Sequence, residues 1–456
     1  MQEIASSISY FSEKGELSSI IDADNKLGLS ALKCCQELLP LAMDNLNRSL
    51  TSDDEGGALS STCAAGTTLQ TCVDGFADQP RVMFEAVHKK LEYIIDLNRV
   101  AIKMMASTIT SDDDVLNPED EYPGWVSDGD RDRFLLQADS RMIRADVVVA
   151  KDGSGKYRTV SEAVKDAPRY SKTRFVIYVK SGVYVEKVKI DSDRWNVMMF
   201  GDGIDKTIIS YNLSHGAGFQ TYETATFTVQ GQGFIARDMT FTNTAGAINQ
   251  QAVALVSHSE RSVFYRCSFN GYQDTLYAHV NRQFYRECQI SGTIDFIFGD
   301  AAMVIQRSSI LVRKPLPGQQ NAITAQGKID RLCRTGIVVQ SSTIRASQDL
   351  RGVSTFLGRP WKPYATVVFM QNNMSRLIDL KGWFPWKAAE STRNDTVFLA
   401  EYSNRGPGAR TRDRVKWKGV RKNLSYAEAT GFTVASFILQ RNNWLLPTQV
   451  PYDLAL

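Results

Sequence analysis

The most constraining feature of this sequence is a five-residue pattern that returns at nearly regular intervals. The copies read RDMTF, YRCSF, RECQI, QRSSI and QSSTI, and their last residues lie 28, 21, 20 and 34 positions apart. A period of about 20–22 residues with insertions predicts a β-solenoid with one coil per repeat. A β-sandwich is the alternative, and it predicts no fixed period. We expect the column at the centre of the pattern to stack along the interior: Met239, Cys267, Cys288, Ser308 and Ser342.

The repeat belongs to a longer stretch of β-type sequence that begins at residue 145. Runs of branched and aromatic residues occur at 147–150, 175–179 and 225–229, and polar turns separate them. In residues 1–107, by contrast, apolar residues recur every three or four positions, which is typical of helices. One such run is Leu32, Cys35, Leu39, Met43, Leu46 and Leu50, and another is Met83, Val87, Leu91, Ile94, Leu97, Ala101 and Met105. The sequence therefore predicts a mostly β protein with a small antiparallel helical bundle in front.

Two helix-breaking residues and an acidic segment affect the first part of the chain. Pro40 and Gly66 interrupt the helical runs, so we expect an incomplete bundle. Residues 108–144 are acidic and contain proline and glycine, which predicts a linker that is at least partly disordered. Residues 1–142 carry a formal charge of −13 and residues 143–456 a charge of +16. The basic second part favours long-range attraction of a polyanion.

Two aspartates occupy equivalent places in successive repeats. Asp274 follows Cys267 by seven residues, and Asp295 follows Cys288 by seven. Coils stack about 4.8 Å apart, so the two carboxylates should be neighbours, and one pKa should be raised by the other charge. Such a pair can supply a proton donor and a nucleophile. Gln273 and Gln251 lie close enough in the repeat to donate hydrogen bonds to an oxyanion. An aspartate that only caps a turn is the alternative.

Five segments resemble the signature segments of plant pectin methylesterases and stand in that family's order. They are GVYVE at 182–186, QAVAL at 251–255, YQDTL at 272–276, DFIFG at 295–299 and LGRPW at 357–361. The resemblance covers residues 145–456 and implies a right-handed parallel β-helix. Residues 1–107 resemble the inhibitor-like pro-region of the same family, through ALKCC at 31–35 and TCVDGF at 71–76.

The resemblance also implies a role for each residue of the site. Asp295 would be the nucleophile, and Asp274 would act as proton donor and then as base. Gln251 and Gln273 would stabilise the oxyanion, and Arg359 would orient Asp295. The implied substrate-binding residues are Thr221, Tyr222, Gln251, Tyr277, Phe298, Arg359, Trp361 and Trp383. Core packing is the alternative for the two tryptophans. No metal and no cofactor is implied.

The cysteines divide into an implied bridge and several single residues. The resemblance implies a disulfide between Cys35 and Cys72. Cys267 and Cys288 stand on adjacent coils, where they either bridge or pack as small apolar groups, and we favour packing. The remaining cysteines are expected to be unpaired, namely Cys34, Cys63 and Cys333.

The activity implied by the resemblance is removal of methyl esters from homogalacturonan, which yields galacturonate and methanol. Two alternatives are a pectin-binding protein with little or no activity and another β-helical pectin-degrading enzyme. Expected partners are pectin and an inhibitor, either a separate protein or the chain's own first domain. We expect no nucleic-acid partner. We also expect no membrane span, since no run of 18 apolar residues occurs. The resemblance implies secretion to the cell wall, although the first residues do not form a recognisable signal peptide. Five glycosylation triplets agree with secretion, at Asn47, Asn212, Asn373, Asn394 and Asn423.

Overall fold

A computed structural model describes residues 6–7, 10–11, 17, 21–22, 24–52, 55–108, 143–387, 393–439 and 443–456. The linker predicted at 108–144 therefore lies outside the described residues except at its ends. Three long helices are described before it: α1 (Lys26–Leu50), α2 (Glu55–Asp74) and α3 (Arg81–Thr108). Three short α-helices are described after it: α4 (Val160–Asp166), α5 (Arg393–Thr396) and α6 (Tyr426–Thr430).

The described strands form three parallel sheets, and the chain visits them in turn, coil after coil. Sheet A contains β1 (Val147–Val149), β2 (Phe175–Val179), β5 (Val197–Gly201), β8 (Ile235–Arg237), β11 (Ser262–Tyr265), β14 (Arg282–Arg286), β17 (Ala302–Gln306), β20 (Gly336–Gln340), β23 (Thr366–Met370), β25 (Phe398–Tyr402) and β26 (Val420–Arg421). Sheet B contains β3 (Gly182–Val185), β6 (Thr207–Tyr211), β9 (Thr240–Asn243), β12 (Ser268–Asn270), β15 (Gln289–Gly292), β18 (Ser309–Val312), β21 (Thr343–Ala346) and β24 (Asn373–Met374). Sheet C contains β4 (Val188–Ile190), β7 (Phe227–Val229), β10 (Leu255–Ser257), β13 (Leu276–Ala278), β16 (Ile294–Gly299), β19 (Asn321–Gln326) and β22 (Thr355–Gly358).

This arrangement is a right-handed parallel β-helix, so the predicted fold class is confirmed and the sandwich is excluded. In sheet B, Ser268 pairs with Gln289, which pairs with Ser309, so the residues just before them also align. The predicted column is therefore real. Along it the Cys288 amide donates to Ser308 Oγ, and the Ser308 amide donates to Ser342 Oγ, each at 3.0 Å.

The corner before this column is made the same way in every coil. The residue that precedes each column member has a positive φ, between 49° and 55°. These residues are Asp238, Arg266, Glu287, Arg307 and Ser341. Left-handed backbone is uncommon outside glycine, and its recurrence at one corner shows that the coil geometry imposes it.

Stacked rings fill much of the interior between the three sheets. The Phe241 and Phe269 rings stack with centroids 5.6 Å apart, and those of Phe264 and Tyr285 stack at 4.8 Å. All four side chains are fully buried. Rings on neighbouring coils lie one above the other, so the repeat that sets the register also builds the core.

The two residues that were expected to interrupt the helical runs do not interrupt the helices. Helix α1 continues through Pro40, which lies on its exposed side, where water can satisfy the freed carbonyl group. Burial of the apolar face of α1 offsets the cost of the proline, since packing stabilises helices more than intrinsic propensity does. Gly66 permits close contact with α3, because an added Cβ would lie 2.4 Å from Asn98 Oδ1. The expectation that both residues disrupt the helices was wrong.

The cysteine predictions are partly confirmed. The structure contains the Cys35–Cys72 disulfide between α1 and α2, and Cys267 and Cys288 are free and packed inside the β-helix. Cys34 is also free. The expectation for Cys63 and Cys333 was wrong, because they form a disulfide with Cα atoms 5.8 Å apart. They are separated by 270 positions in sequence, and only the docking of α2 on the β-helix brings them together. In the described part of the chain, no helix has the length and apolar character to cross a membrane.

Candidate active site on sheet C

The predicted carboxylate pair lies at the edge of sheet C, where Asp274 precedes β13 and Asp295 is the second residue of β16. Leu276 pairs with Ile297, so Asp274 and Asp295 lie two residues before paired positions. The Asp274 amide donates to the Ile294 carbonyl at 3.0 Å. Both aspartates have positive φ, 63° and 51°, and the register of β16 shifts beside Asp295. The coils therefore bring the two residues together, as the repeat predicts.

The two carboxyl groups are buried and differ in their electrostatic surroundings. Arg359 Nε and Nη2 donate to the Asp295 oxygens, the shortest contact being 2.6 Å. Burial raises the pKa of both groups, and the charge of Asp295 raises the pKa of Asp274 further, to well above its ordinary value. The Arg359 hydrogen bonds oppose this rise at Asp295. The pKa of Asp274 is therefore raised more than that of Asp295, which favours the protonated form at Asp274 over the protonated form at Asp295.

Trp386 supports this ion pair, and no signature segment of the sequence contains it. The Arg359 guanidinium carbon lies 4.4 Å from the centre of the Trp386 ring, which is a cation–π contact. The sequence signal is the aromatic segment GWFPW at 382–386, in which the resemblance implies Trp383 as a substrate-binding residue. The Trp383 side chain is only 1% exposed and packs inside the β-helix against Phe369. For Trp383 the structure agrees with the core-packing alternative and not with substrate binding.

The two glutamines lie on neighbouring coils beside the pair. The Ala252 amide donates to the Gln273 carbonyl at 3.2 Å, which joins the two segments. Both glutamine side chains are half-buried. In the described structure the Gln251 side-chain oxygen is buried and has no hydrogen-bond partner. This oxygen is an acceptor, whereas an oxyanion would be bound by the N–H groups of the same amide.

Four of the predicted substrate-binding residues form one aromatic cluster on the outer face of sheet C. The Tyr277 and Phe298 rings stack at 4.2 Å, and Trp361 meets Phe298 edge-on at 6.0 Å. Tyr222 contacts Tyr277 at 6.3 Å, and Thr221 begins the short helix that carries Tyr222. An aromatic surface next to a carboxylate pair suits the faces of sugar rings.

The helical bundle lies on this aromatic cluster. Tyr222, Tyr277 and Phe298 are only 5%, 3% and 4% exposed, and they share one apolar cluster with residues of α1 and α2. Polar contacts surround the apolar area. Among them, Lys33 pairs with Glu223, and Lys362 Nζ lies 2.6 Å from Asp74.

A pair of histidines lies under the bundle and was not selected from the sequence. Nδ1 of His258 and Nδ1 of His279 are 3.0 Å apart. Asn45 Nδ2 lies 3.1 Å from His258 Nε2, and Thr71 Oγ1 lies 2.9 Å from His279 Nε2. Burial lowers both pKa values, that of His279 to about 3, so both rings are neutral. No motif marked them, because their partners are more than 200 residues away in sequence.

Fold and site together define a β-helical protein with a paired-carboxylate centre on one sheet, and comparison with known proteins identifies its family. The Pectinesterase family profile matches residues 146–442. A putative pectinesterase/pectinesterase inhibitor 24 from Arabidopsis thaliana is 45% identical over 99% of this chain and 80% of its own length. Pectinesterase/pectinesterase inhibitor PPE8B from Prunus persica is 43% identical over 93% of this chain and 82% of its own.

Solved structures lead to the same family. The pectin methylesterase from carrot has a TM-score of 0.67 and 48% identity, and it covers 69% of this chain and 99% of its own. PemA from Erwinia chrysanthemi has a TM-score of 0.56 and 26% identity, and it covers 65% of this chain and 97% of its own. The chain belongs to the pectinesterase family and is an enzyme of the carboxylic ester hydrolase class.

Proposed function

We propose that this chain removes methyl groups from the esterified galacturonate units of pectin, with Asp295 as nucleophile and Asp274 as acid and base. The observation that carries the proposal is the asymmetric pair. Asp295 is held by two guanidinium nitrogens, whereas the pKa of its neighbour Asp274 is raised by burial and by the Asp295 charge. Two identical side chains can therefore hold opposite protonation states in one site.

The first half of the reaction forms an acyl anhydride between the galacturonyl group and the enzyme. An Asp295 oxygen attacks the carbonyl carbon of the methyl ester, and the carbonyl oxygen becomes an oxyanion. The amides of Gln251 and Gln273 donate hydrogen bonds to this oxygen, which lowers the barrier. As the carbon–oxygen bond to the methoxy group breaks, Asp274 gives its proton to that oxygen, and methanol leaves.

The second half returns the enzyme to its starting state. Asp274, now ionised, takes a proton from a water molecule, whose oxygen attacks the carbonyl carbon of the galacturonyl–Asp295 acyl anhydride. The bond from that carbon to the Asp295 oxygen breaks. The products are ionised Asp295 and galacturonic acid, which loses its proton to the solvent as galacturonate, and Asp274 is protonated again. Arg359 keeps Asp295 ionised for the next cycle.

The aromatic cluster of sheet C supports pectin as the polymer that is bound. Tyr222, Tyr277, Phe298 and Trp361 would contact sugar faces beside the reacting ester. The excess positive charge of residues 143–456 would attract a polymer that gains negative charge as it is demethylated. The docked bundle occupies the same surface, so the active form has the bundle displaced. A substrate of this kind agrees with a cell-wall location.

The proposal is tested with residues 143–456 and highly methylated pectin, with methanol release as the measured product. Methanol should appear without a fall in viscosity and without new reducing ends, because the chain is not cut. If the folded protein releases no methanol, the proposal is wrong. A fall in viscosity would instead favour a lyase or polysaccharide hydrolase. The Asp295→Asn variant, checked for an unchanged circular dichroism spectrum, is the matched control.

A further inference from the structure

We infer that the Cys63–Cys333 disulfide is a covalent latch that keeps the helical bundle over the active site after the chain is cut between residues 108 and 143. Release then requires two separate events, cleavage of the backbone and reduction of this disulfide. The inference deepens the proposed function, because the surface that the latch keeps covered is the one proposed to bind pectin.

The two sulfur atoms belong to different parts of the molecule. Cys63 lies in the middle of α2, and Cys333 lies in the segment between β19 and β20 of the β-helix. They are 1% and 2% exposed, and a small apolar cluster surrounds them with Leu59 and Ile102 of the bundle. The other disulfide, Cys35–Cys72, joins two helices of the bundle and does not reach the β-helix.

The helix that carries the latch also covers the site. Thr67 and Thr71 follow Cys63 by one and two turns on the same face of α2. Thr67 Oγ1 donates to Asp300 at 2.5 Å, and Thr71 Oγ1 contacts His279. Asp300 directly follows β16, the strand that contains Asp295. His279 and Asp300 lie at the strand ends opposite Asp274 and Asp295. Further along α2, Leu69, Cys72 and Val73 share the apolar cluster of Tyr277 and Phe298. One bond at Cys63 therefore holds in place the helix that packs on the aromatic cluster of sheet C.

The chain connectivity gives the latch its effect. A cut anywhere between residues 108 and 143 divides the protein into a bundle fragment and a β-helix fragment. With the disulfide intact the two remain one molecule, so the bundle cannot be lost by dilution. Without it, only non-covalent contacts hold them, and the bound fraction depends on concentration.

A dithiol reductant is the class of reagent that opens the latch. One thiolate of the reductant attacks a sulfur of the disulfide and forms a mixed disulfide, and the other cysteine leaves as a thiolate that takes up a proton. The second thiol of the reductant then displaces the remaining cysteine. Cys63 and Cys333 each end as thiols, and the reductant becomes a cyclic disulfide, so two electrons are transferred. Because both sulfur atoms are buried, attack requires α2 to lift from the β-helix.

The test uses the full chain with a specific protease recognition sequence placed between residues 109 and 142. The cut protein is compared with a cut Cys63→Ser/Cys333→Ser variant, with and without dithiothreitol. Non-reducing gel filtration over a dilution series follows the two fragments. Methanol release from pectin is assayed on the same samples. A cut Cys34→Ser variant is the control, because Cys34 is buried and free in the same bundle.

The cut protein should elute as one species at every dilution and keep the low activity of the uncut chain. The cut double-serine variant should separate on dilution, and its activity should rise about tenfold or more as the bundle is lost. Dithiothreitol should make the cut protein separate on dilution and gain activity in the same way. The cut Cys34→Ser variant without dithiothreitol should neither separate nor gain activity. The inference is overturned if the cut protein separates without reductant, or if the cut variant stays together at every dilution.

Two further readouts keep the inference separate from other failures. Peptide mass spectrometry of the unreduced chain should find Cys63 joined to Cys333, and any other pairing overturns the inference even if the variant does not fold. Separation of the fragments is measured without pectin. If the fragments separate as expected but no methanol is released, the proposed function is contradicted and the inference about the disulfide still stands.

Discussion

The interior of the β-helix and the outer face of sheet C are built on the same strands but from different chemistry. The interior is filled by stacked rings and small side chains, such as Phe269 and the column around Cys288. The outer face combines aromatic rings with buried charged and titratable groups, among them Asp274, Asp295 and His279. The difference shows a division of labour, in which the interior sets the register and the outer face uses that register for chemistry and for docking. Substitutions in the two regions should therefore fail in different ways.

The largest effect is expected at the nucleophile. Asp295→Asn should lower the rate of methanol release by roughly 10⁴-fold or more, because the attacking oxygen is lost. The free energy of unfolding should not fall, since a buried carboxylate is replaced by a neutral group of the same shape. Steady-state kinetics and denaturant unfolding of residues 143–456 measure the two effects. Asp349→Asn, at an exposed aspartate, is the control. A loss of activity that only follows a loss of folded protein would contradict this prediction.

The reverse result is expected in the interior. Phe269→Ala removes a ring that stacks on Phe241, and it should lower the free energy of unfolding by about 3–5 kcal/mol. The fraction that remains folded should keep its turnover number, because Phe269 does not contact the site. Denaturant unfolding and active-fraction kinetics at low temperature check both parts. Tyr170→Ala, at an exposed ring, should change stability by less than about 0.5 kcal/mol. Equal stability losses for the two variants would remove the contrast between interior and surface.

Arg359 gives a smaller effect with a pH signature. Arg359→Ala removes the positive charge that opposes the raised pKa of Asp295, so that pKa should rise further. The acid limb of the rate profile should therefore move to higher pH, because Asp295 must be ionised to attack. At neutral pH the rate should fall by roughly 10²–10³-fold as orientation is lost. The pH dependence of kcat/KM measures the shift. Arg351→Ala, at an exposed arginine, should leave the profile in place.

The smallest effect concerns docking of the bundle on the outer face. His258 and His279 are neutral in the docked state, because burial lowers the pKa of both rings. The charges of His279 and Arg48 lower the pKa of His258 further. Exposed histidines bind protons below about pH 6.5, so acid should favour the undocked state. Docking is thus strongest above pH 6.5 and weakens as pH falls towards 3, the docked value of His279. For each unit by which the pH falls in this range, each histidine should raise the dissociation constant of the bundle from the β-helix by up to about tenfold.

Dissociation of the cut Cys63→Ser/Cys333→Ser protein between about pH 5 and pH 7 measures this slope. Asp300 acts in the opposite direction, because burial raises its pKa and the docked state holds its proton more tightly. Adding His258→Gln and His279→Gln should flatten the slope, while His88→Gln on the exposed side of α3 should not. A slope that is unchanged by the paired substitution would show that other groups control docking.

The two regions also differ in how far the sequence predicts them. The repeat around Cys267 and Cys288 is local and periodic, so it predicts the coil, the column and the adjacency of Asp274 and Asp295. The resemblance implies Trp383 as a substrate-binding residue, but its ring is buried inside the β-helix, where its backbone bridges to Gly358, and no periodicity indicates this.

Docking could not be predicted, because it depends on contacts between two separately folded regions. The Cys63–Cys333 disulfide and the Asn45–His258 contact join residues 270 and 213 positions apart. Neither has a spacing that a repeat or a motif would mark. The resemblance of residues 1–107 to an inhibitor-like region indicated a partner for the site, but not which residues would touch.

The shared register of β13 and β16 has a consequence for how such an enzyme can change over time. The distance between Asp274 and Asp295 is set by the pitch of the coil, which the whole stack enforces, and not by a loop. Loops and aromatic side chains around the pair can therefore vary while the distance between the two carboxyl groups stays fixed. Such variation changes which stretch of polymer fits the site. Selection can act on substrate choice and on catalytic geometry as two nearly independent traits.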